Sequence, residues 1–149
     1  MRACATAKLN DDRIVASVDI AAPPERTFRA LASEEIVDWW VNPGAFDTRE
    51  WAGEVKVGGW WRASGMARGQ PYTLEGEFLE VDPPRKLVHT WHRVGAPEDP
   101  SIVTYLLEPI PGGTRLTINH SGIVSPEQGN NTTDGWRTSL GRLAEILSS

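Results

Sequence analysis

The C-terminal stretch TTDGWRTSLGRLAEILSS (132–149) decides how the chain folds, because it carries a single apolar stripe. Trp136, Leu140, Leu143 and Leu147 recur at the spacing of one face of an α-helix. The segments before it are mostly strand-like. Since only a sheet is then available to cover the stripe, the sequence predicts a helix packed lengthwise against a sheet.

Seven strands are predicted upstream, and two short helices follow the first of them. Alternating apolar and polar residues, bounded by Pro and Gly turns, are typical of half-buried strands. The sequence therefore predicts an α+β domain with a curved antiparallel sheet. The strands are RIVASVDI (13–20), EWAGEVKV (50–57), WWRASG (60–65), YTLEGEFLEV (72–81), KLVHTWH (86–92), SIVTYLLE (101–108) and TRLTINH (114–120), and the helices lie in AAPPERTFRALAS (21–33) and EEIVDWW (34–40).

Two adjacent tryptophans in GGWWRAS (58–64) must point to opposite faces of their strand. The polar neighbours of Trp60 place it outside, so Trp61 points inward. Other inward positions are small, namely Ala63, Gly65 and Gly76. We therefore expect space beneath the helix beside the Trp61 ring.

Composition excludes several classes of partner. The 149 residues suit one domain, with 15 basic against 20 acidic residues and a formal charge of −5. Without a basic cluster, we expect no nucleic acid and no anionic membrane as partner. No apolar run approaches the roughly 18 residues that a membrane span needs, so no membrane insertion is expected.

The chain is expected to divide into a flexible tail (1–12) and one domain (13–149). The single cysteine, Cys4, lies in that tail, so no disulfide framework is predicted. A reducing cytoplasm is then the expected compartment.

No motif for catalysis or metal binding stands out. His89 and His92 fall on opposite faces of one strand, so they cannot chelate the same ion from there. Glu75 and Glu77 occupy the polar face of their strand, where charges are usually solvated. We expect no catalytic residue, no metal site and no cofactor.

His120 has two interpretations. It ends a strand on the inward face of Leu116 and Ile118. It is either a core histidine bonded to a backbone or hydroxyl group, or a polar group in a cavity that orients a ligand or transfers a proton. Tyr105 is a second polar candidate on an inward face.

Five segments, in order, resemble one known family. The resemblance runs from about Ile14 to the C-terminus and is to the homologues of the activator of heat-shock-protein-90 ATPase, within the SRPBCC (START-like, birch-pollen-allergen-like) superfamily. It implies the helix-grip fold, a seven-stranded sheet around a long C-terminal helix with a cavity between them, and no shared catalytic motif. The segments are WWVNPGAF (39–46), VGGWWRAS (57–64), EVDPPRKLVHTW (80–91), VTYLLEPIPGGTRLTINHSG (103–122) and GWRTSLGRLAEIL (135–147).

Three functions follow as hypotheses. The first is a non-enzymatic domain that binds a small apolar or amphipathic molecule. The second is a co-chaperone-like module that binds a chaperone or other protein partner around Trp60. Because much of the ATPase stimulation by the eukaryotic co-chaperone comes from a separate N-terminal domain, we expect this chain to stimulate the chaperone ATPase weakly at most. The third is a cyclase or hydrolase using His120. The predicted ligand-binding residues are Trp61, Ala63, Phe78, Trp91, Tyr105, His120, Trp136 and Leu140.

Overall fold

The computed structural model describes residues 5–10, 13–96, 99–122 and 126–147, and the side chains of the last range from residue 129 onward. Cys4 and the expectations attached to it lie outside these ranges. The elements are β1 (Thr6–Asn10), β2 (Arg13–Ile20), α1 (Pro24–Leu31), α2 (Ile36–Trp39), β3 (Glu50–Gly53), β4 (Trp60–Ala67), β5 (Gln70–Asp82), β6 (Lys86–Arg93), β7 (Ser101–Ile110), β8 (Gly113–Ser121) and α3 (Pro126–Leu147).

The strands form one antiparallel sheet in the order β1-β2-β8-β7-β6-β5-β4-β3. This α+β arrangement with a C-terminal helix fits the helix-grip prediction, but the predicted strand count was wrong. The sheet has eight strands and is open, with β1 and β3 at its edges. The extra strand, β1, lies within the segment predicted as a tail and pairs with β2 from Thr6↔Ser17 to Asn10↔Arg13. Its inward residues, Ala7 and Leu9, pack against the core.

Helix α3 covers the concave face of the sheet along the predicted stripe. Trp136, Leu140 and Leu143 are at most 2% exposed, and Leu147 is partly buried against the core. The helix contacts β1, β2 and α2. It begins at Pro126, earlier than the predicted residue 132. Among the described residues, no helix is long and apolar enough to cross a membrane.

The two helices between β2 and β3 are short and are joined to each other by charge. Helix α1 begins at Pro24. The first N–H groups of a helix have no partner within the helix, so the N–H that proline lacks costs no hydrogen bond. Glu35, just before α2, accepts hydrogen bonds from Arg26 at 2.6 Å and from Arg29 at 3.3 Å, both on α1. The two arginines, together with their hydrogen bonds, hold the pKa of Glu35 below its usual value, although partial burial opposes them. These ion pairs fix the turn between α1 and α2, so that Trp39 and Trp40 lie in the core.

The facing of the two tryptophans is confirmed, but the space expected beside Trp61 is occupied. Trp61 is 2% exposed and Trp60 is 47% exposed. A Cβ on Gly76 would collide with Nε1 of Trp61 and with the backbone oxygen of Thr90. A Cβ on Gly65 would collide with the backbone of Asp47. These two glycines therefore make room for the Trp61 ring and for backbone atoms, and they do not mark a cavity.

Two Gly→Ala substitutions should change stability in opposite directions. Gly76→Ala should lower the free energy of unfolding by roughly 1–3 kcal/mol, because the methyl group overlaps Trp61 and the β6 backbone. Gly141→Ala, on α3 with open space at its Cβ position, should raise it by about 1 kcal/mol through helix propensity. Urea unfolding measures both. Equal effects would mean that the Trp61 ring does not lie over Gly76.

A cleft between the sheet and the start of helix α3

An open cleft of about 770 Å³ lies between the N-terminal half of α3 and strands β4, β5 and β6 of the sheet. Strands β5 and β6 form one side, and the β4–β5 turn and the 40–46 loop form the other. The apolar lining is mainly aromatic: Trp40, Phe46, Tyr72, Leu74, Trp91 and Trp136. The polar lining consists of Asn42, Arg68, Gln70, Arg93, Asn131, Thr132 and Asp134.

Three indole rings from three elements meet at this cleft. The ring centroids of Trp40 and Trp91 are 4.5 Å apart with an edge-to-face tilt of 68°. Trp136 stacks on Trp40 at 6.4 Å and lies 5.7 Å from Trp91. Such aromatic pairs contribute packing energy beyond their buried area, so the three rings form a firm apolar surface. We call them the tryptophan cluster.

The loop opposite the cluster is fastened to the sheet by hydrogen bonds. Asp47 and Met66 exchange two bonds of 2.9 Å, one from the Asp47 backbone N–H and one to its carboxylate. The bond from the Met66 N–H is the main reason why the pKa of Asp47 is lowered. The Tyr72 hydroxyl donates to the Asp47 backbone oxygen at 2.6 Å, and the Thr48 hydroxyl donates to that of Trp40 at 2.8 Å. The loop wall of the cleft is therefore held in place on both sides.

A glycine on α3 brings the loop close to the helix. A Cβ on Gly135 would lie 3.2 Å from the Phe46 ring, tighter than ordinary contact. Glycine inside a helix costs about 1 kcal/mol relative to alanine. Its presence here lets the Phe46 ring pack directly on the helix at the cleft.

Two of the eight predicted ligand-binding residues, Trp91 and Trp136, line the cleft. The other six lie in the packed core around and beneath the tryptophan cluster. Each is at most 3% exposed: Trp61, Ala63, Phe78, Tyr105, His120 and Leu140.

His120 is held by hydrogen bonds at both ring nitrogens. Nδ1 accepts from the Trp136 indole N–H at 3.1 Å. Nε2 donates to the Ser101 hydroxyl at 2.7 Å, because Ser101 itself donates to the backbone oxygen of Trp91. Burial, with a smaller contribution from His89, lowers the His120 pKa to about 3. This geometry matches the core-histidine interpretation and leaves neither nitrogen unpaired.

His89 forms a second buried pair, with Tyr105. Its Nδ1 donates to the Thr90 backbone oxygen at 2.9 Å, and its Nε2 accepts from the Tyr105 hydroxyl at 3.0 Å. Burial lowers the His89 pKa to about 4 and raises the pKa of Tyr105. His92 lies on the opposite face, as predicted, and contacts the backbone oxygen of Ala96. The described part of the chain holds no group of three metal-ligating side chains.

Several lining residues were not among the predicted ones. Trp40 and Phe46 lie at the two ends of the loop that Asp47 fastens to Met66, Tyr72 lies on β5, and Arg68 lies in a turn. Arg93 could have been found, since it shares the Trp91 face of its strand by simple alternation.

The two buried histidines should make stability depend on pH. Their folded pKa values, about 4 and 3, lie below the usual 6.5, so the unfolded chain binds protons first. Stability is then full above about pH 6.5 and is lost as the pH falls towards 4. Between pH 7.5 and pH 5, urea unfolding should show a loss of about 2 kcal/mol for each histidine. A total loss below about 1 kcal/mol would contradict the neutral, bonded state.

Comparison with known proteins gives the family and the fold. The family "Activator of Hsp90 ATPase homolog 1-like protein" matches residues 21–148. Protein CV1439 from Chromobacterium violaceum is 28% identical, with a TM-score of 0.82 over 94% of this chain and 99% of that one. A Rhodobacter sphaeroides protein is 22% identical, with a TM-score of 0.79 over 97% of each chain.

A third similar structure is DynU16, described as a putative protein in the dynemicin biosynthetic locus. It is 22% identical with a TM-score of 0.73, and the match covers 93% of this chain and 48% of that one, so it shows the fold alone. No curated protein matches the sequence. The family match spans both walls of the cleft and the whole of α3, and the chain belongs to the activator of Hsp90 ATPase homolog 1-like family of START-like proteins.

Proposed function

We propose that the protein binds a small apolar or amphipathic molecule in the cleft and carries out no chemistry on it. The observation that carries this proposal is the tryptophan cluster, which lies beside an open volume of about 770 Å³. Ligand pockets are typically about 300–1,000 Å³ and mainly apolar and aromatic, with a few polar groups. The cleft has this size and an aromatic wall, and polar side chains make up a larger share of its lining than is usual for such pockets. We place the protein in the cytoplasm and propose no cofactor.

The polar groups around the cleft suit an amphipathic ligand better than a purely apolar one. Asn42, Gln70 and Asn131 offer side-chain amides on the lining, where each can donate and accept hydrogen bonds. The indole N–H of Trp136 is already used by His120 and its ring is 2% exposed, so the half-buried Trp91 offers the ligand most of the apolar surface of the cluster. A ligand would therefore place its rings or chain on the tryptophans and its polar end among the amides.

Partly filling the cleft should weaken ligand binding without damage to the fold. N-phenyl-1-naphthylamine, an uncharged aromatic dye that fluoresces in apolar surroundings, serves as the probe. We expect the wild type to bind it and Ala67→Phe, on the cleft lining, to weaken binding by about tenfold. Ala52→Phe, on an exposed strand position, is the matched control and should bind within about twofold of wild type.

The dye titration decides the proposal. Circular dichroism confirms that both variants are folded. No binding by the wild type, or equal loss in the two variants, would overturn the proposed function.

A second candidate function is protein binding through the outer face of the sheet. Val57, Trp60 and Leu79 are large apolar residues that are 67%, 47% and 41% exposed. Trp60 and Leu79 lie on neighbouring strands, β4 and β5, in which Trp60 pairs with Glu77. An exposed tryptophan of this kind is typical of residues that dominate binding between proteins.

Trp60→Ala tests this second function separately from the first. Removal of the ring should cost less than about 1 kcal/mol of stability, because nearly half of it is already in solvent. It should leave dye binding unchanged. Calorimetric titration with the purified heat-shock-protein-90 homologue of the same organism should show binding by the wild type that the variant loses. Absence of binding by the wild type would exclude this chaperone as the partner.

A further inference from the structure

Two arginines bring positive charge to the aromatic cleft. Arg93 ends β6 on the same strand face as Trp91, in register with the lining residue Leu74 on β5. Arg68 lies in the two-residue turn that joins β4 to β5, and its backbone N–H donates to the Ala45 oxygen at 2.8 Å. Both side chains are exposed at the lining.

Neither arginine has a carboxylate partner among the described residues. Six of the nine other arginines in this part of the chain form ion pairs, namely Arg26, Arg29, Arg49, Arg85, Arg115 and Arg137. The acidic residue of the lining, Asp134, is paired with Arg137 at 2.8 Å, one helical turn away. The lining therefore presents two guanidinium groups whose charge no described carboxylate neutralises.

The backbone at Arg68 adopts a conformation that is uncommon for a residue with a long side chain. Arg68 adopts a φ of +52° and the next residue, Gly69, a φ of +80°. Two-residue hairpins with both φ values positive favour Asn or Gly at the first position, because a long side chain is strained there. Residues in such conformations concentrate at functional sites. An arginine kept here delivers a guanidinium group to the cleft at a conformational cost.

The net charge of the protein is opposite in sign to the charge of these two arginines. A chain with a formal charge of −5 repels anions in general. Arginine binds carboxylates and similar groups through paired, charge-assisted hydrogen bonds. Two guanidinium groups without a carboxylate partner among the described residues, beside three indoles, suit a molecule that is both aromatic and anionic.

We propose that the ligand of the cleft is an aromatic acid, which places its rings against the tryptophan cluster and its anionic group on Arg68 and Arg93. This inference rests on the proposed function, since it assigns a chemical class to the molecule that the cleft binds. The anion is a carboxylate or an acidic group of similar geometry and charge.

Two dyes that differ by one anionic group test the proposal. 8-Anilino-1-naphthalenesulfonate is N-phenyl-1-naphthylamine with an added sulfonate, so the pair isolates the contribution of the charge. We expect the wild type to bind the sulfonate dye about tenfold more tightly, as one charge-assisted hydrogen-bonded pair allows. The double variant Arg68→Gln/Arg93→Gln should lose this preference and keep its affinity for the neutral dye within about twofold.

Arg62→Gln is the matched control for charge. The single variants Arg68→Gln and Arg93→Gln each remove one positive charge and should each weaken the preference for the sulfonate dye. Arg62→Gln also removes one positive charge, at an exposed position of β4 outside the cleft lining. It should leave both affinities unchanged. Ala67→Phe should weaken both dyes, which places them in the same cleft.

The outcomes separate this inference from the proposed function. Equal affinities of the wild type for the two dyes, or an equal loss in Arg62→Gln, would overturn the aromatic acid and leave the neutral-ligand cleft standing. Failure of both dyes to bind would overturn both proposals. Loss of the sulfonate preference in the double variant alone supports the inference.

Discussion

The packing of Trp136 connects the helix, the sheet and the cleft, and the rest of the structure depends on it. Its indole N–H donates to His120 on β8, and its ring contacts Trp40, Trp91 and Tyr105. One side chain therefore fixes where α3 crosses the sheet and also supplies part of the cleft. Because the indole proton satisfies His120, the buried imidazole stays neutral without a charged partner. Stability and the shape of the cleft are coupled through this residue.

The hydrogen-bond chain that begins at Trp136 also bears on the hypothesis of acid–base chemistry. His120 donates to Ser101, and Ser101 donates to the backbone of β6, so each proton in the chain already has an acceptor. To take a proton from a ligand, the imidazole would have to give up the Trp136 bond, and it is 2% exposed and not part of the cleft lining. The histidine most attractive as a catalytic group is thus engaged in holding helix and sheet together.

Much of the fold could be predicted because its signals are local. The α3 stripe and the opposite facing of Trp60 and Trp61 follow from periods of 3.6 and 2 residues, which any short window of sequence reveals. Strand β1 was missed because only Ala7 and Leu9 mark its inward face, and their burial depends on pairing with β2.

The candidate site was harder to predict because its walls are assembled from distant segments. Small residues such as Gly76 indicated space, yet the volume they leave is filled by the Trp61 indole, which sequence alone cannot show. The actual opening depends on the contact between Asp47 and Met66, which brings the 40–46 loop to the β4–β5 turn. Such contacts depend on tertiary structure and produce no periodic pattern in the sequence.

The core residues and the charged residues of the cleft lie in different parts of the fold. The core residues come from strand interiors and the three helices, whereas the charged lining comes from a turn and a strand end, Arg68 and Arg93. Side chains at such positions contribute little to packing, so they can change without loss of the fold. The tryptophan cluster, in contrast, is shared by core and cleft, so under the proposed function it would require a ligand that is apolar on one side. The aromatic part of the proposed specificity would then be fixed by stability, and the anionic part would be set by two arginines that stability does not require.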